Sequence, residues 1–316
     1  MAALLAAQPA AAEWHGRAVD LMGTQVSVEL WHEDEPTGRA LVERVLDEYR
    51  RIDRQMSTYR DDSEISRINR EAATRPIVVS GELLELIAAS IELSRASDGA
   101  FDISYESVGY LYDFRARLRP SAAEISALIG AVDYRRIEID AVASTVRFGM
   151  PGMRINLGGI AKGFAVEQGA RILREAGVEH ALLNAGGDSR VIGDRRGQPW
   201  IIGIQHPRLD DAVATRLPLV DEAISTSGDY ERFFEEDGRR YHHILNPATG
   251  EPTETLLSAT VIGPDATITD ALATTVFVLG AEAGLELVDR YPGFEAIVVQ
   301  PSGQLQYSSG LVTPGE

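Results

Sequence analysis

The sequence predicts an α+β fold of largely antiparallel sheets flanked by helices, organised as two intimately packed subdomains. Three observations carry this expectation. Helical and β-rich stretches are interspersed along the chain, several β-rich stretches pair across turn residues, and the strict βαβ repetition of a parallel sheet is missing. A length of 316 residues suits one large domain or two packed ones. No Pro/Ser-rich linker, charge block or fixed-period repeat marks a boundary, so residues 14–316 read as a single domain.

Residues 1–13 are small and apolar and end in an Ala-x-Ala pattern, without the charged opening of a secretory signal. They read either as the remnant of an export signal or as a disordered N-terminus. Residues 38–56 place Leu41, Val42, Val45, Leu46, Tyr49, Ile52 and Met56 at three- and four-residue spacing, which predicts a helix with one apolar face. Residues 81–98 repeat this with Leu83, Leu84, Ile87 and Ile91 and close at Gly99, suited to a left-handed C-cap. Ser121-Ala-Ala-Glu124 has capping-box spacing and opens a third helix. Strands are expected at 136–140 and 145–148 as a hairpin, then at 153–157, 181–184, 201–205 and 224–226. Asp237-Gly238 favours a type I′ turn that folds residues 233–245 back on themselves. A strand at 258–262, helices at about 268–279 and 282–291, and a hairpin containing 297–299 complete the chain.

Acidic residues outnumber basic ones 48 to 30, for a net charge of −18. Such a field repels phosphate backbones and anionic membrane surfaces, which argues against nucleic acid as a partner. A phosphate-bearing substrate would need local positive charge or a metal ion to offset it. The absence of cysteine excludes disulfides, thiolate zinc sites, iron–sulfur clusters and cysteine nucleophiles. No internal window approaches the roughly 20 apolar residues of a bilayer-spanning helix.

The chain uses 29 arginines and a single lysine, Lys162. A lone survivor suggests a place where a compact ammonium is required and a rigid guanidinium fork does not fit. It lies in Asn156-Leu-Gly-Gly-Ile-Ala-Lys162-Gly163, after an expected strand and at the start of an expected helix. There Gly158, Gly159, backbone amides and the helix dipole would converge on an anion. The spacing of a Walker loop is not met, and such a turn also reads as a tight connection. Asn184-Ala-Gly186-Gly187-Asp188 is ordinary hairpin-turn chemistry, or a place where a planar ligand approaches backbone. Ser227, Gly228 and Asp229 lie in a hydroxyl-rich strand end that alone would pass for a loop. Adjacent His242 and His243 point to opposite faces of an extended segment. The inward one is either a hydrogen-bonded core residue or an acid–base group. Asp270 and Thr274, four apart on one helix face, would suit a hard cation such as Mg²⁺, but two ligands are too few to define one, and the residues alone read as an N-terminal-turn aspartate and a back-bonded threonine.

Seven motifs run in order along the chain: Met56-Ser-Thr-Tyr-Arg-Asp-Asp-Ser-Glu-Ile-Ser-Arg-Ile-Asn69, Gly99-Ala-Phe-Asp102, Asn156-Leu-Gly-Gly-Ile-Ala-Lys-Gly163, Asn184-Ala-Gly-Gly-Asp188, Thr226-Ser-Gly-Asp-Tyr-Glu-Arg232, His243-Ile-Leu-Asn-Pro-Ala-Thr-Gly250 and Asp270-Ala-Leu-Ala-Thr274. This set resembles the ApbE family of flavin transferases from Met22-Gly-Thr24 to Gly280. The resemblance implies an ApbE-like fold and an enzyme that binds FAD as substrate, cleaves its pyrophosphate with Mg²⁺, transfers FMN to a Thr or Ser hydroxyl of an acceptor protein and releases AMP. By the same resemblance Asp270, Thr274 and the Ala161 carbonyl hold the metal. Tyr59, Gly158, Gly159, Lys162, Asn184, Gly186, Gly187, Asp188, Ser227 and Gly228 meet the flavin nucleotide, with Lys162 also stabilising charge at phosphorus. His243 becomes the leading proton acceptor, with Asp229 or Asp270 able to serve instead.

The acceptor expected on this basis is a membrane-bound electron-transfer subunit, and the site of action is the periplasm or cell envelope rather than the cytoplasm. Two other readings share the phosphate site: a Mg²⁺-dependent FAD pyrophosphatase giving FMN and AMP, and a non-catalytic flavin-binding or delivery protein. No hydroxyl of this chain lies in the Asp-x-x-[Ser/Thr]-Gly-Ala-[Thr/Ser] context usual for acceptors. Two segments depart from the family pattern: Phe101-Asp-Ile-Ser-Tyr-Glu-Ser-Val108 replaces the usual Phe-Asp-Ile-Thr-Val-Gly-Pro-Leu, and Asn246 replaces the aspartate after His-Ile-Leu.

Overall fold

The computed structural model describes residues 13–209 and 212–311. The expectation for residues 1–13 lies outside them except for Glu13, which opens the first strand. That hairpin, β1 (Glu13–Leu21) and β2 (Thr24–His32), precedes helix α1 (Glu35–Met56). α1 is capped by Asp34, whose carboxylate accepts from Thr37 N at 3.0 Å, and it buries the seven apolar residues read from the sequence. α2 (Glu64–Glu71), β3 (Ile77–Val78) and α3 (Gly81–Ala96) follow, then the short α4 (Glu106–Gly109) and α5 (Ala122–Leu128). α5 begins with the expected capping box of Ser121 and Glu124.

The hairpin of β4 (Ile137–Asp140) and β5 (Thr145–Phe148) joins β3 in a three-stranded sheet. After α6 (Ala161–Glu175) come β6 (Ala181–Ala185), β7 (Asp188–Ile192), β8 (Trp200–Gln205), β9 (Val213–Leu219), β10 (Ala223–Gly228), β11 (Phe233–Glu236) and β12 (Arg239–His242). Asp237 and Gly238 both take positive φ, 51° and 78°, as a type I′ turn requires. β13 (Ser258–Gly263), α7 (Ala266–Leu279), α8 (Ala281–Val288), β14 (Glu295–Val299) and β15 (Leu305–Tyr307) complete the fold.

An eight-stranded antiparallel sheet, ordered β1-β2-β6-β7-β10-β13-β14-β15, organises the molecule. Helices α1, α6 and α7 pack on it and on one another, forming the main core. The β8–β9 ribbon supplies Trp200, Ile204 and Leu219 to a second core with Val191, Ile224, Ile262 and Ile297 of the sheet. Every residue of β7 and β13 is buried, as expected of strands covered on both faces. A third, small core of Val108, Tyr112, Ile125 and Leu245 sits under α4 and α5.

One expected strand is absent. Residues 153–157 are extended but pair with no strand, because side chains satisfy their backbone. Asn69 Nδ2 donates to Ile155 O at 2.9 Å, Ile155 N donates to Asn69 Oδ1 at 2.7 Å, and Arg154 N donates to Ser107 Oγ at 3.0 Å.

Candidate active site

Lys162 stands in the first turn of α6, which crosses α7 closely. A Cβ on Gly163 would lie 2.1 Å from the Ala266 carbonyl oxygen and 2.6 Å from Asp270 Cβ, so only glycine fits. The crossing lets Gly163 N donate to Asp270 Oδ2 at 2.9 Å and sets Lys162 Nζ 3.6 Å from Asp270 Oδ1. Asp188, the first residue of β7, bonds the same ammonium from the sheet side. It is aimed by the Gly186-Gly187 turn, where a Cβ on Gly187 would meet Thr226 O at 2.6 Å.

Two buried carboxylates thus share one ammonium. Burial, reinforced by Asp188, pushes the Asp270 carboxyl up to about 7 against the pull of Lys162 and the Gly163 amide. Burial works against the Lys162 charge, but Asp188 and Asp270 outweigh it and hold the ammonium above its ordinary value.

One turn along α7, Thr274 Oγ1 lies 3.2 Å from Ser227 Oγ on β10. Gly159 packs on Thr274, a Cβ there standing 3.2 Å from Oγ1. Ala161 opens α6 between Gly159, which packs on Thr274, and Gly163, which packs on Asp270. Among the described residues no group of three His, Cys, Asp or Glu could hold a metal. A cation here would meet an all-oxygen set of carbonyl, carboxylate and hydroxyl, which suits a hard divalent ion, and the excess carboxylate charge favours one.

The adjacent histidines divide as their alternation predicts. His242 is a core residue: its Nε2 contacts Thr253 O at 2.6 Å, its Nδ1 accepts from Ile244 N at 3.3 Å, and its ring meets Phe277 edge-on. His243 Nδ1 is buried without a partner. Burial, with Arg232, His242 and Lys162 nearby, lowers the His243 imidazole to about 3, so it is neutral at physiological pH and able to accept a proton.

Other expected residues fall differently. Asp229 is held in a fork by Arg208, at 2.7 and 2.5 Å, with Arg240 3.6 Å away. A carboxylate so engaged is a structural anchor for the loop, which counts against it as proton acceptor. Asn184 turns its amide onto its own loop, donating to Gly186 O and Ser189 Oγ, both at 2.9 Å. A Cβ on Gly228 would strike the Tyr230 ring at 2.4 Å, so packing within the loop already requires that glycine. Tyr59 is 87% exposed, on the rim between α1 and α2.

Several amides expected to lie free at the start of α6 are engaged internally. Gly158 N donates to Asn156 Oδ1 at 2.8 Å, Ile160 N and Ala161 N donate to Leu157 O at 3.0 and 2.8 Å, and Gly163 N is taken by Asp270. The loop must satisfy its own backbone once no strand does so, which leaves the Lys162 ammonium as its main positive group.

Sequence reasoning gave no role to Arg232, although it ends one of the seven motifs. Its guanidinium donates to Gly23 O at 3.2 Å, its charge reaches Lys162, His243 and Tyr105, and no carboxylate among the described residues lies within 4 Å of it. The signal in the sequence is its place at the end of the Thr226–Arg232 motif; its half-buried position without a carboxylate partner comes from the fold.

The ApbE family profile matches residues 22–298. The FAD:protein FMN transferase of Klebsiella pneumoniae is 33% identical over 293 residues, covering 92% of this chain and 90% of its own length. That of Vibrio cholerae is 33% identical over 306 residues, covering 93% and 90%. The crystal structure of the ApbE protein of Thermotoga maritima superposes with a TM-score of 0.86 at 33% identity over 94% of this chain and 97% of its own. The flavin transferase ApbE of Vibrio cholerae does so with a TM-score of 0.83 at 30% identity over 94% and 98%. With fold and sequence shared across nearly the whole length, the chain belongs to the ApbE family.

Proposed function

We propose that this enzyme transfers the FMN moiety of FAD to a Ser or Thr hydroxyl of an acceptor protein and releases AMP, with Mg²⁺ as its cofactor. The observation that carries the reading is the buried Lys162–Asp188–Asp270 cluster beside the neutral imidazole of His243. In-line displacement forms a bond from the acceptor oxygen to the FMN phosphorus and breaks the bond from that phosphorus to the bridging oxygen, which leaves with AMP. Lys162 and Arg232 bind the diphosphate and stabilise charge on the leaving phosphate. The hydroxyl proton passes to the neutral His243 imidazole. Bound diphosphate neutralises the cations that depress this imidazole in the free enzyme, so its basicity rises when substrate is present.

Ala161 O, Asp270 and Thr274 would hold Mg²⁺, which supplies charge neutralisation at the diphosphate. Tyr59 offers an exposed aromatic face to the planar ring system. Action in the cell envelope on a membrane electron-transfer subunit is part of the same proposal; the export-signal reading of residues 1–13 bears only on the place of action.

The test is incubation with FAD and Mg²⁺, with and without an acceptor carrying the Asp-x-x-[Ser/Thr]-Gly-Ala-[Thr/Ser] motif, following AMP and acceptor mass. AMP formed only with acceptor, and an acceptor heavier by one FMN moiety, is the expected result. AMP and free FMN without acceptor would make the protein a pyrophosphatase, and bound FAD with neither product would make it a carrier.

A further inference from the structure

The segment that delivers the glycine loop to Lys162 is held by side chains on both flanks. Asn69 clamps Ile155, Ser107 holds Arg154, and Ile103 O accepts from Asn156 N at 2.9 Å. The Asn156 side chain makes the last connections. Its Oδ1 accepts from Gly158 N at 2.8 Å, and its Nδ2 donates to Glu106 Oε2 at 3.0 Å and reaches Thr58 Oγ1 at 3.4 Å. One amide therefore ties the glycine loop to the segment carrying Tyr59.

Glu106 lies in the Tyr105–Val108 stretch where this chain departs from the family pattern. It is only 7% exposed, and no cation lies within 4 Å of its carboxylate among the described residues. Burial pushes its carboxyl up to about 7, with Asn156 and then Arg154 pulling the other way. A buried carboxyl with so little compensation costs stability, which points to a role outside folding. Its position decides which way the Asn156 amide faces. With Glu106 accepting from Nδ2, Oδ1 must face Gly158 N; without Glu106 the amide is free to turn two donors toward each other.

We propose that Glu106 is a positioning residue for FAD: by orienting the Asn156 amide it fixes the spacing between the Thr58–Tyr59 segment and the Gly158–Lys162 loop, so that ring system and diphosphate are received together. This rests on the reading of the cleft as an FAD site. Glu106 acts through Asn156 and touches no substrate atom.

The experiment is FAD binding followed by flavin fluorescence without Mg²⁺, alongside AMP binding by calorimetry, in wild type, Glu106→Ala, Glu106→Gln, Asn156→Ala and the Glu106→Ala/Asn156→Ala double variant. Glu106→Ala should raise the FAD dissociation constant about tenfold, the scale expected for a group that orients another. AMP, which engages only the phosphate side, should bind within about twofold of wild type, and Glu106→Gln, which keeps an acceptor oxygen, should restore FAD affinity. The double variant should be no worse than Asn156→Ala. Additive effects, equal loss of AMP and FAD, or wild-type FAD affinity in Glu106→Ala would overturn the proposal. Should Glu106→Ala not fold, Glu106→Asp, which withdraws the carboxylate by one methylene, must raise the FAD dissociation constant, and wild-type affinity there would overturn it. Failure of the wild type itself to bind FAD would instead overturn the site reading beneath it.

Discussion

Two glycine turns meet at Lys162, and they are built on opposite principles. The Gly186-Gly187 turn closes a hairpin whose register runs from Ala181↔Ile192 to Ala185↔Asp188, so neighbouring strands fix it. The Arg154–Lys162 segment has no strand beside it and is held by Asn69, 86 residues away in sequence, by Ser107, 47 away, and by Glu106, 50 away. The first aims one carboxylate with local rigidity. The second gathers several distant segments into one conformation, so its geometry reports on all of them.

The most severe break removes the carboxylate that α7 brings to the meeting point of the two turns. Asp270→Ala should lower Mg²⁺-dependent AMP release by at least about 10³-fold while the protein still folds, since the substitution deletes a carboxyl that burial disfavours. Release within tenfold of wild type would remove Asp270 from the metal site. His243→Ala should cost about 10²–10⁴-fold in transfer rate at pH 7. His242→Ala should appear mainly as lost stability, and a reversal of these two outcomes would reverse their assigned roles.

The long-range loop should also be the pH-sensitive one. Glu106 has a folded value of about 7 against an ordinary 4.5, so its contribution to stability is complete below about 4.5 and is lost as pH rises through 7. At about 1.4 kcal/mol per pKa unit, Glu106→Gln should be more stable than wild type at pH 8.5 by up to about 3 kcal/mol, and less so at pH 5. Denaturant titrations at the two pH values give the difference, and an equal effect at both would disprove the shift. The smallest contrast compares the two asparagines. Asn69→Ala leaves two backbone groups of the loop unpaired and should cost about 2 kcal/mol, whereas Asn184→Ala, in the strand-supported turn, should cost about 1 kcal/mol or less. Calorimetric melting midpoints distinguish them, and equal falls would show the hairpin to be no more self-sufficient than the loop.

The same contrast explains what the sequence disclosed. Elements with their own periodicity or turn chemistry were legible: the apolar stripe of α1, the capping box of α5 and the Asp237-Gly238 turn. Residues 153–157 look like a strand because they alternate and precede a helix, yet their partners are the side chains of Asn69 and Ser107, which no local pattern announces. In the site, Lys162, Asp188, Asp270, Thr274 and Ser227 came together as their motifs suggested. Asp229 did not join them, because the partner that engages it, Arg208, lies on a different loop. Glu106 and Arg232 carry no local signal of a role for the converse reason: the roles proposed for them depend on what they face across the fold.

Lys162 is the only lysine in the chain, and it is buried in an ion pair for most of its surface. Amine chemistry therefore has one side-chain target, shielded where the reaction would occur. Amine-directed reagents should therefore modify Lys162 slowly, and a phosphate compound bound at the proposed site should change that rate. The protein carries a built-in reporter, without any engineered label.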